Sequence, residues 1–495
     1  MKPILPMRGL GLLALSMLTA CAQFGNQAPL DAPTAYSLPQ GSQPQAAKAD
    51  WWLGLGDSML NRLMAQTLAS SPDLRAARAR FAQAQAQLGI AEAADKTQIG
   101  LVGQGVGAYV APKPTATYGH PDHTLWLANV ALQGSWSFDF WGKNRAQVAA
   151  AIGQRQAAVY EAEQIRLTLA QAVAAQYFAW QAVNEQQRLL QQRIEAAAES
   201  EKILKQRIRA QLLPASAAYP AEQAQQLLQA QQLVLARNAA RIRHSLAVLS
   251  GQAPNALDGQ TPAVQGSPPV FSAGNIKADL LGKRPDIAAQ RALLQSRWQN
   301  IQAAKAEFYP NIELKLLAGF AHIDAFNLLS GSNSGMLGIV PAINLPIFTS
   351  GALQSKLAYR NAEYNQQVAL YDQTVLNAMR AAADAVSDYQ TLQAQALLQQ
   401  RAALTSAKNA AAARRRVAAQ IDNPLAYLQK QDEALQQAAQ AVQVQSDFLV
   451  AWSNVHAQLG GGFLRLGDDV GVFQVGDADV AHRERRAGLD RLAQA

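Results

Sequence analysis

The sequence predicts a mixed membrane protein, in which long α-helices and four β-strands per chain form two copies of one structural unit. Three pairs of matching segments, each offset by about 210 residues, indicate this internal duplication. The pairs are Ser71–Leu74 with Arg284–Ile287, Phe138–Gly142 with Leu345–Gly351, and Leu213–Pro214 with Asn423–Pro424. Short segments that alternate between apolar and polar residues, and very long helical stretches after them, support the same fold class.

The N-terminal segment resembles the signal sequence of a bacterial lipoprotein. A positively charged region precedes a short apolar run, which predicts a cleaved signal peptide over residues 1–20. Leu18–Cys21 resembles a lipobox, so we expect covalent lipid on Cys21, the only cysteine of the chain. The alternative is an ordinary signal peptide with a chance cysteine at the junction. Ala22, rather than Asp, follows the cysteine, and by resemblance to lipoprotein sorting this favours the outer membrane.

Composition predicts a largely helical protein. Charged residues make up 16% and aromatic residues 7% of the chain, whereas Ala and Gln, which suit closely packed helices, are abundant. After the signal segment no apolar run approaches the length of a membrane-spanning helix, so any membrane crossing requires a closed β-barrel. The formal net charge of +8 is modest and scattered, which argues against nucleic-acid binding.

The chain divides into a tether, two units and a tail. Residues 21–50, rich in Pro, Gln, Ser and Ala, predict a lipidated N-terminal tether. Residues 51–260 form the first unit and residues 261–463 the second, and each contains a helix, a β-hairpin and a long helix pair. Residues 464–495 form a polar C-terminal tail without a firm assignment.

The elements of each unit follow from periodicity. The predicted elements of the first unit are a helical pattern over residues 57–94 interrupted near Pro72, strands at residues 99–110 and 124–139, a helix at residues 143–212, a turn at residues 213–216, and a return helix that ends near residue 249. Those of the second unit are strands at residues 311–320 and 337–348 and helices at residues 351–420 and 424–459. At 1.5 Å per residue, the longest helices extend roughly 100 Å.

The predicted strands have one apolar and one polar face. In residues 124–139 the apolar face carries Trp126, Ala128, Val130, Leu132, Trp136 and Phe138, and the other face carries Asn129, Gln133, Ser135, Ser137 and Asp139. A lipid-facing barrel strand around an aqueous lumen requires this pattern, although a half-buried soluble hairpin shows it as well. Four strands are too few to close a barrel. Either the protein oligomerises or the strands do not form a barrel.

No group of residues indicates catalysis or a metal site. The segment His120–His123 contains possible ligands, but a solvated loop is the better interpretation. The acids Asp57 and Asp73 lack any convergent pocket signal, and no nucleophile–base pair is evident. We therefore expect no enzyme activity and no cofactor other than the covalent lipid on Cys21.

Several segments resemble one known family in order and spacing. They are Trp51-Trp52, Leu60–Leu63, Pro72–Ala77, Arg284–Ile287, Ala304–Ala306, Phe308–Pro310, Leu345–Phe348 and Leu459–Gly462. Together they resemble the outer membrane efflux factors, the TolC-like proteins, and within them the NodT-type lipoprotein branch that is paired with resistance-nodulation-division pumps. The resemblance covers residues 15–463.

The resemblance implies both the assembly and the function. It implies a homotrimer, in which three sets of four strands form one twelve-stranded outer-membrane β-barrel and the long helices form an α-helical periplasmic tunnel. Such a protein is the outer membrane channel of a tripartite efflux system, a gated passive exit for drugs or toxic compounds. Its partners would be a periplasmic adaptor protein, an inner-membrane resistance-nodulation-division pump and outer membrane lipid. A channel for secreted proteins or peptides, a non-conducting coiled-coil lipoprotein and a lipid-anchored hydrolase are the alternatives.

The resemblance also implies that the helix tips close the periplasmic end like an iris. These tips correspond to residues 211–219 and 416–430 of this sequence. The family commonly has Gly at the positions of Gln211 and Gln420 and an acid at the position of Ala217. The chain therefore departs from the family pattern in both tips.

A further departure concerns the constriction. The family commonly has a carboxylate at the position of Gln429, and three carboxylates bind cations and repel anions, whereas three Gln side chains do not. We expect Leu425 and Gln429 to face the pore; the alternative is an ordinary solvated or packed tip. Arg416 and Asp422 are the candidates for tip-locking ion pairs.

Overall fold

The computed structural model describes residues 24–34, 50–110, 123–262, 284–322 and 335–461. Its helices are α1 (Ser58–Ser70), α2 (Pro72–Ala94), α3 (Lys143–Arg209), α4 (Tyr219–Leu249), α5 (Pro285–Ala306), α6 (Ala352–Ala418) and α7 (Pro424–Gln458). Its strands are β1 (Gln98–Val110), β2 (His123–Phe138), β3 (Asn311–His322) and β4 (Gly335–Asn344). The signal segment, Cys21 and the tail of residues 464–495 lie outside the described residues.

The two halves of the chain have the same order of elements, which confirms the predicted duplication. Each half contains a helix (α2 or α5), an antiparallel strand pair, a helix of 67 residues (α3 or α6) and a shorter return helix (α4 or α7). Each 67-residue helix follows a glycine with positive φ, Gly142 at 76° and Gly351 at 83°. Glycine adopts this backbone region without a steric penalty, so both strand-to-helix corners are built in the same way.

The four longest helices form one layer. Helices α3 and α6 are each roughly 100 Å long. Helix α3 packs against α4 and α7, and α6 packs against α7, so the order across the layer is α4–α3–α7–α6. Many of the residues that α3 and α6 bury are alanines, which allows close helix packing. Within the described ranges, no helix combines the length and the apolar character needed to cross a membrane.

The main core lies where α1 packs against the middle of α3. Asp57 caps α1, and its Oδ1 accepts hydrogen bonds from the amides of Met59 (2.9 Å) and Leu60 (3.0 Å). Its Oδ2 accepts from the Tyr177 hydroxyl at 2.7 Å and from the Gln181 amide at 3.2 Å. Burial and the bond to this carboxylate raise the pKa of Tyr177. Because a buried carboxylate requires such partners, the network fixes α1 to α3.

The four strands form one antiparallel sheet in the order β1–β2–β3–β4. The register places Leu132 opposite Leu101 and Ala318, and Ala318 opposite Leu337. Apolar residues from all four strands consequently share one face, namely Ile99, Leu101, Val130, Leu132, Trp136, Phe138, Ile312, Leu314, Leu316, Phe320, Leu337, Ile339 and Ile343. Leu337 is 80% exposed and Leu101 is 69% exposed, so this face is uncovered within the single chain.

The opposite face of the sheet carries most of its polar residues, together with Val102, Leu317 and Val340. It carries Gln98, Gln104, Asn129, Gln133, Ser135, Ser137, Asn311, Glu313, Lys315 and Asn344. Glu313 and Lys315 are neighbours on this face, 3.7 Å apart. The predicted alternation is therefore present in the sheet, while the side chains of Trp126 and Ala128 lie outside the described part of the chain.

Two strands end earlier than predicted. Strand β4 ends at Asn344 and not at Phe348, because Asn344 already lies opposite the first residue of β3 and Pro346 has no amide hydrogen to donate. Strand β2 ends one residue early. Asp139, which was expected on the polar face of that strand, instead accepts hydrogen bonds from two backbone amides in the first turn of α3, at 2.9 and 3.1 Å. A carboxylate at this position stabilises the helix N-terminus.

Part of the predicted tether is held against α6. Residues 24–34 have no helix or strand, and the amide and hydroxyl of Thr34 donate to Asp372 of α6 at 3.0 and 2.6 Å. Phe24 packs edge to face against Phe308, with 5.0 Å between ring centroids. These contacts fix the position of the chain close behind Cys21.

Candidate functional site at the helix tips

Both long helices end with the same backbone motif. Gln211 and Gln420 follow α3 and α6 with positive φ angles of 59° and 60°. In each tip the amide that follows the glutamine donates to the carbonyl five residues earlier, at 2.9 Å. This motif favours glycine at the left-handed position, since a Cβ costs roughly 1–2 kcal/mol there. The glutamines therefore leave conformational strain in both tips.

Arg416 and Asp422, the predicted tip-locking residues, form an ion pair with 2.8 Å between Arg416 Nε and Asp422 Oδ2. Arg416 lies in the last turn of α6 and Asp422 in the connection to α7, so this ion pair stabilises one hairpin and does not join the two hairpins. The next residue makes a link between hairpins. Asn423 Oδ1 accepts from the Leu425 amide at 3.1 Å, which caps α7, and from Arg207 Nη2 of α3 at 2.8 Å.

A second ion pair, which sequence reasoning missed, joins the hairpins directly. Arg193 of α3 donates from Nε to Asp432 Oδ1 of α7 at 2.7 Å and from Nη2 to Oδ2 at 3.4 Å. The two side chains are 16% and 35% exposed, so the bidentate pair is partly shielded from water. Gln436 donates to the same carboxylate at 2.6 Å. This pair can be predicted only once the packing of α3 against α7 is known.

A groove of about 520 Å³ lies beside this ion pair, between α3, α4 and α7. Leu425, half-buried, and Gln429, exposed, both line it. Other lining residues are Ser200, Leu204, Leu227, Leu228, Gln231 and Leu428. The groove is thus lined mainly by leucines, alanines and amides, and the lining carboxylate Asp432 is paired with Arg193. It stays a prediction that Leu425 and Gln429 face a pore in the assembled protein.

The arrangement can act as a mechanical closure. Near the tip, the contacts between hairpin α3–α4 and hairpin α6–α7 include two polar ones, in which Arg193 pairs with Asp432 and Arg207 donates to Asn423. Such contacts break without disrupting an apolar core. Over the described ranges, no group of three His, Cys, Asp or Glu residues is placed to hold a metal ion. Cys21 and the side chains of the segment His120–His123 lie outside the part that the structure describes.

Residues 63–252 and 278–461 match the family described as outer membrane efflux protein. The multidrug resistance outer membrane protein MdtP of Escherichia coli strain K12 is 28% identical over 355 residues, which cover 70% of this chain and 72% of MdtP. The multidrug resistance outer membrane protein MdtQ of Escherichia coli O6:H1 is 28% identical over 484 residues, covering 91% of this chain and 97% of MdtQ. The fusaric acid resistance protein FusA of Burkholderia cepacia is 29% identical over 370 residues, covering 71% and 69%.

Solved structures have the same fold. The outer membrane protein VceC from Vibrio cholerae superposes with a TM-score of 0.74 at 28% identity, covering 84% of this chain and 100% of VceC. The Campylobacter jejuni CmeC outer membrane channel gives a TM-score of 0.78 at 22% identity, covering 89% and 96%. The predicted fold class and resemblance are confirmed, and the resemblance is to a class of channels and not of enzymes. Because the family match spans both units of the duplication, the chain belongs to the outer membrane efflux protein family, the TolC-like channels.

Proposed function

We propose that this chain is one of three identical subunits of a gated channel, which gives small toxic molecules a passive exit from the periplasm to the outside. The four-stranded sheet carries this proposal, because its apolar face is exposed and its outer strands, β1 and β4, each have a neighbour on one side only. An edge strand is a template for pairing with another chain. Three copies joined β1 to β4 would form a closed twelve-stranded barrel with its apolar face toward lipid.

The helical layer supports the same assembly. Its two edges, α4 and α6, both expose large apolar side chains: Leu233 is 74% and Val234 is 44% exposed on α4, and Leu397 is 55% and Leu398 is 66% exposed on α6. Contact between α4 of one subunit and α6 of the next would remove these side chains from water, which is favourable. The same contact would close the layer into a tunnel continuous with the barrel.

The channel itself is passive in this proposal, and its partners supply the energy. A periplasmic adaptor protein would contact the helix tips, and an inner-membrane pump of the resistance-nodulation-division class would drive the solute. The relatives MdtP, MdtQ and FusA are named for resistance to multiple drugs and to fusaric acid. These names support drugs and other toxic compounds as the cargo.

We also propose that Cys21 is acylated and anchors the N-terminus in the outer membrane. Replacement by serine (Cys21→Ser) should abolish incorporation of labelled palmitate, whereas the neighbouring change Ala22→Ser should leave it intact. Unchanged labelling of the Cys21→Ser protein would contradict this part of the proposal. Assembly should survive the substitution, because the barrel is a second membrane anchor.

The channel proposal is tested by the mass of the purified protein in detergent together with its conductance in a planar bilayer. We expect a trimer with a small, mostly closed conductance that increases when Leu425 and Gln429 are both replaced by Ala. Ile90→Ala, a change at a side chain that is 64% exposed on α2, serves as the control and should leave the conductance unchanged. A monomer without conductance in any variant would instead support a structural coiled-coil lipoprotein.

A further inference from the structure

The hairpin tips carry an excess of positive charge. Residues 193–226 and 406–436, which include both turns, contain ten Lys and Arg and seven Asp and Glu. The formal excess is therefore three positive charges per chain at this end, out of +8 for the whole sequence. This charge is concentrated where the proposed channel would admit its solutes.

Carboxylates of the tips already have partners. The ion pairs are Glu199–Lys202, Glu201–Lys205, Asp422–Arg416, Asp432–Arg193 and Glu433–Lys430. Of the remaining two acids, Glu195 accepts a hydrogen bond from Gln191 at 3.1 Å and Glu222 interacts electrostatically with Lys205. At the predicted constriction Gln429 supplies an amide in place of a carboxylate. Five of the seven acids of this region are therefore already in ion pairs.

Four exposed cations remain without such compensation; the fifth cation that lacks an ion pair among the described residues, Arg207, donates to the neutral side chain of Asn423. Arg209, Lys408, Arg414 and Arg415 are exposed, and none of them forms an ion pair with a carboxylate in the part of the chain that the structure describes. Each lies within about 15 Å of the end of α3 or α6, at 1.5 Å per residue. Electrostatic screening in about 0.1 M salt acts over about 10 Å, so the fields of Arg209, Arg414 and Arg415, which lie within about 6 Å of those helix ends, reach the tip.

We propose that this end of the channel selects for anions, and that small organic anions, such as carboxylates and sulfonates, are the class of solute that it admits best. The inference rests on the proposed channel function. Rings of Lys and Arg select anions, just as rings of Asp and Glu select cations. In a trimer, three copies of Arg209, Lys408, Arg414 and Arg415 surround the entrance, and the low-dielectric helical walls concentrate their field in the aqueous opening.

The test is the ratio of chloride to potassium permeability, obtained from the reversal potential of the full-length protein in a planar bilayer under a KCl gradient. We expect a ratio above one at about 0.1 M salt. The ratio should approach one at about 1 M salt, because the screening length shortens from about 10 Å to about 3 Å. A selectivity that did not depend on salt would indicate a steric origin and would overturn the electrostatic argument.

A variant with reversed charge at the tip provides the second part of this test. The double variant Arg414→Glu/Arg415→Glu should bring the permeability ratio below one. Arg75→Glu/Arg80→Glu is the matched control, since both residues are exposed on α2. This helix lies near the sheet end of α3, where its Gln85 accepts a hydrogen bond from Arg155. A wild-type ratio at or below one, or an equal change in the control, would overturn the inference and leave the channel intact. Absence of current in the wild type and in the Leu425/Gln429 variant would overturn the channel proposal itself.

Discussion

Arg193 of α3 and Asp432 of α7 form an ion pair, with 2.7 Å between Nε and Oδ1, that connects the two units of the duplication toward the tip end of the long helices. The nearby bond from Arg207 to Asn423 connects the same two helices at 2.8 Å. Any outward movement of one hairpin relative to the other has to break both contacts. The ion pair is the stronger of the two, because both partners are charged and the geometry is bidentate.

We expect Asp432→Asn to increase the open population of the channel. The substitution removes the charge from a hydrogen bond worth about 1.5 kcal/mol or more, which corresponds to about a tenfold change in the ratio of open to closed channels. Single-channel recording measures this ratio. The charge-swapped double variant Arg193→Asp/Asp432→Arg should restore the closed state. Asp384→Asn, which breaks an exposed pair with Arg380 within α6, should have no effect. An equal increase in the open population of that control would show that the Arg193–Asp432 pair does not hold the channel closed.

We expect Gln429→Glu to create a site for multivalent cations. The substitution conserves the size of an exposed side chain and places three carboxylates around the pore of a trimer, where such rings bind cations. The concentration of La³⁺ that blocks the current from the tip side should fall at least about tenfold, or about 1.4 kcal/mol. Gln431→Glu lies two residues further on a different face of α7 and should not produce block. Equal block in the two variants would show that Gln429 does not face the pore.

Much of the fold could be predicted from the sequence because its signals are local. The period-two alternation of residues 124–139 placed Leu132 and Trp136 on one face, and the register of β2 confirms it. Pro214 and Pro424 marked the tip turns, since proline follows helix ends and begins new helices. Arg416 and Asp422 are only six positions apart, and this short separation explains why their ion pair could be predicted.

What the sequence does not reveal depends on long-range packing. Arg193 and Asp432 are separated by 239 positions, and neither local segment indicates that α3 packs against α7. From the sequence, Asp57 is only an acid without a pocket, because its partner Tyr177 is 120 positions away. In both cases the chemistry arises from a helix–helix contact that no periodic pattern identifies.

We expect Gln211→Gly and Gln420→Gly each to stabilise the tips by about 1 kcal/mol, because glycine removes the penalty of a Cβ in the left-handed region. Amide hydrogen exchange of the tip peptides should slow in both variants. Gln206→Gly is the matched control, since Gln206 is an exposed position within α3. There the same substitution costs about 1 kcal/mol, so the control should change in the opposite direction. Faster exchange in the two tip variants would contradict the assignment of strain.

His456 is enclosed by aromatic rings near the end of α7. Its ring stacks on Trp51 with 5.5 Å between centroids and an interplanar angle of 6°, and it contacts Trp452 edge to face at 4.7 Å. Burial lowers the pKa of His456 from 6.5 to about 4. The unfolded chain restores the ordinary pKa of about 6.5, so between these two values the unfolded state binds a proton that the folded state does not.

Protonation of the unfolded state should therefore destabilise the fold as the pH is lowered. The contribution of His456 to stability is fully present above about pH 6.5 and decreases toward pH 4, by up to about 3 kcal/mol for a shift of this size. We expect His456→Gln to reduce the loss of thermal stability between pH 7 and pH 4.5, measured by circular dichroism on the purified protein. His244→Gln, at an exposed histidine on α4, should leave the pH dependence as in the wild type. If His456→Gln and the wild type lose the same thermal stability over this range, the buried imidazole is not the group responsible.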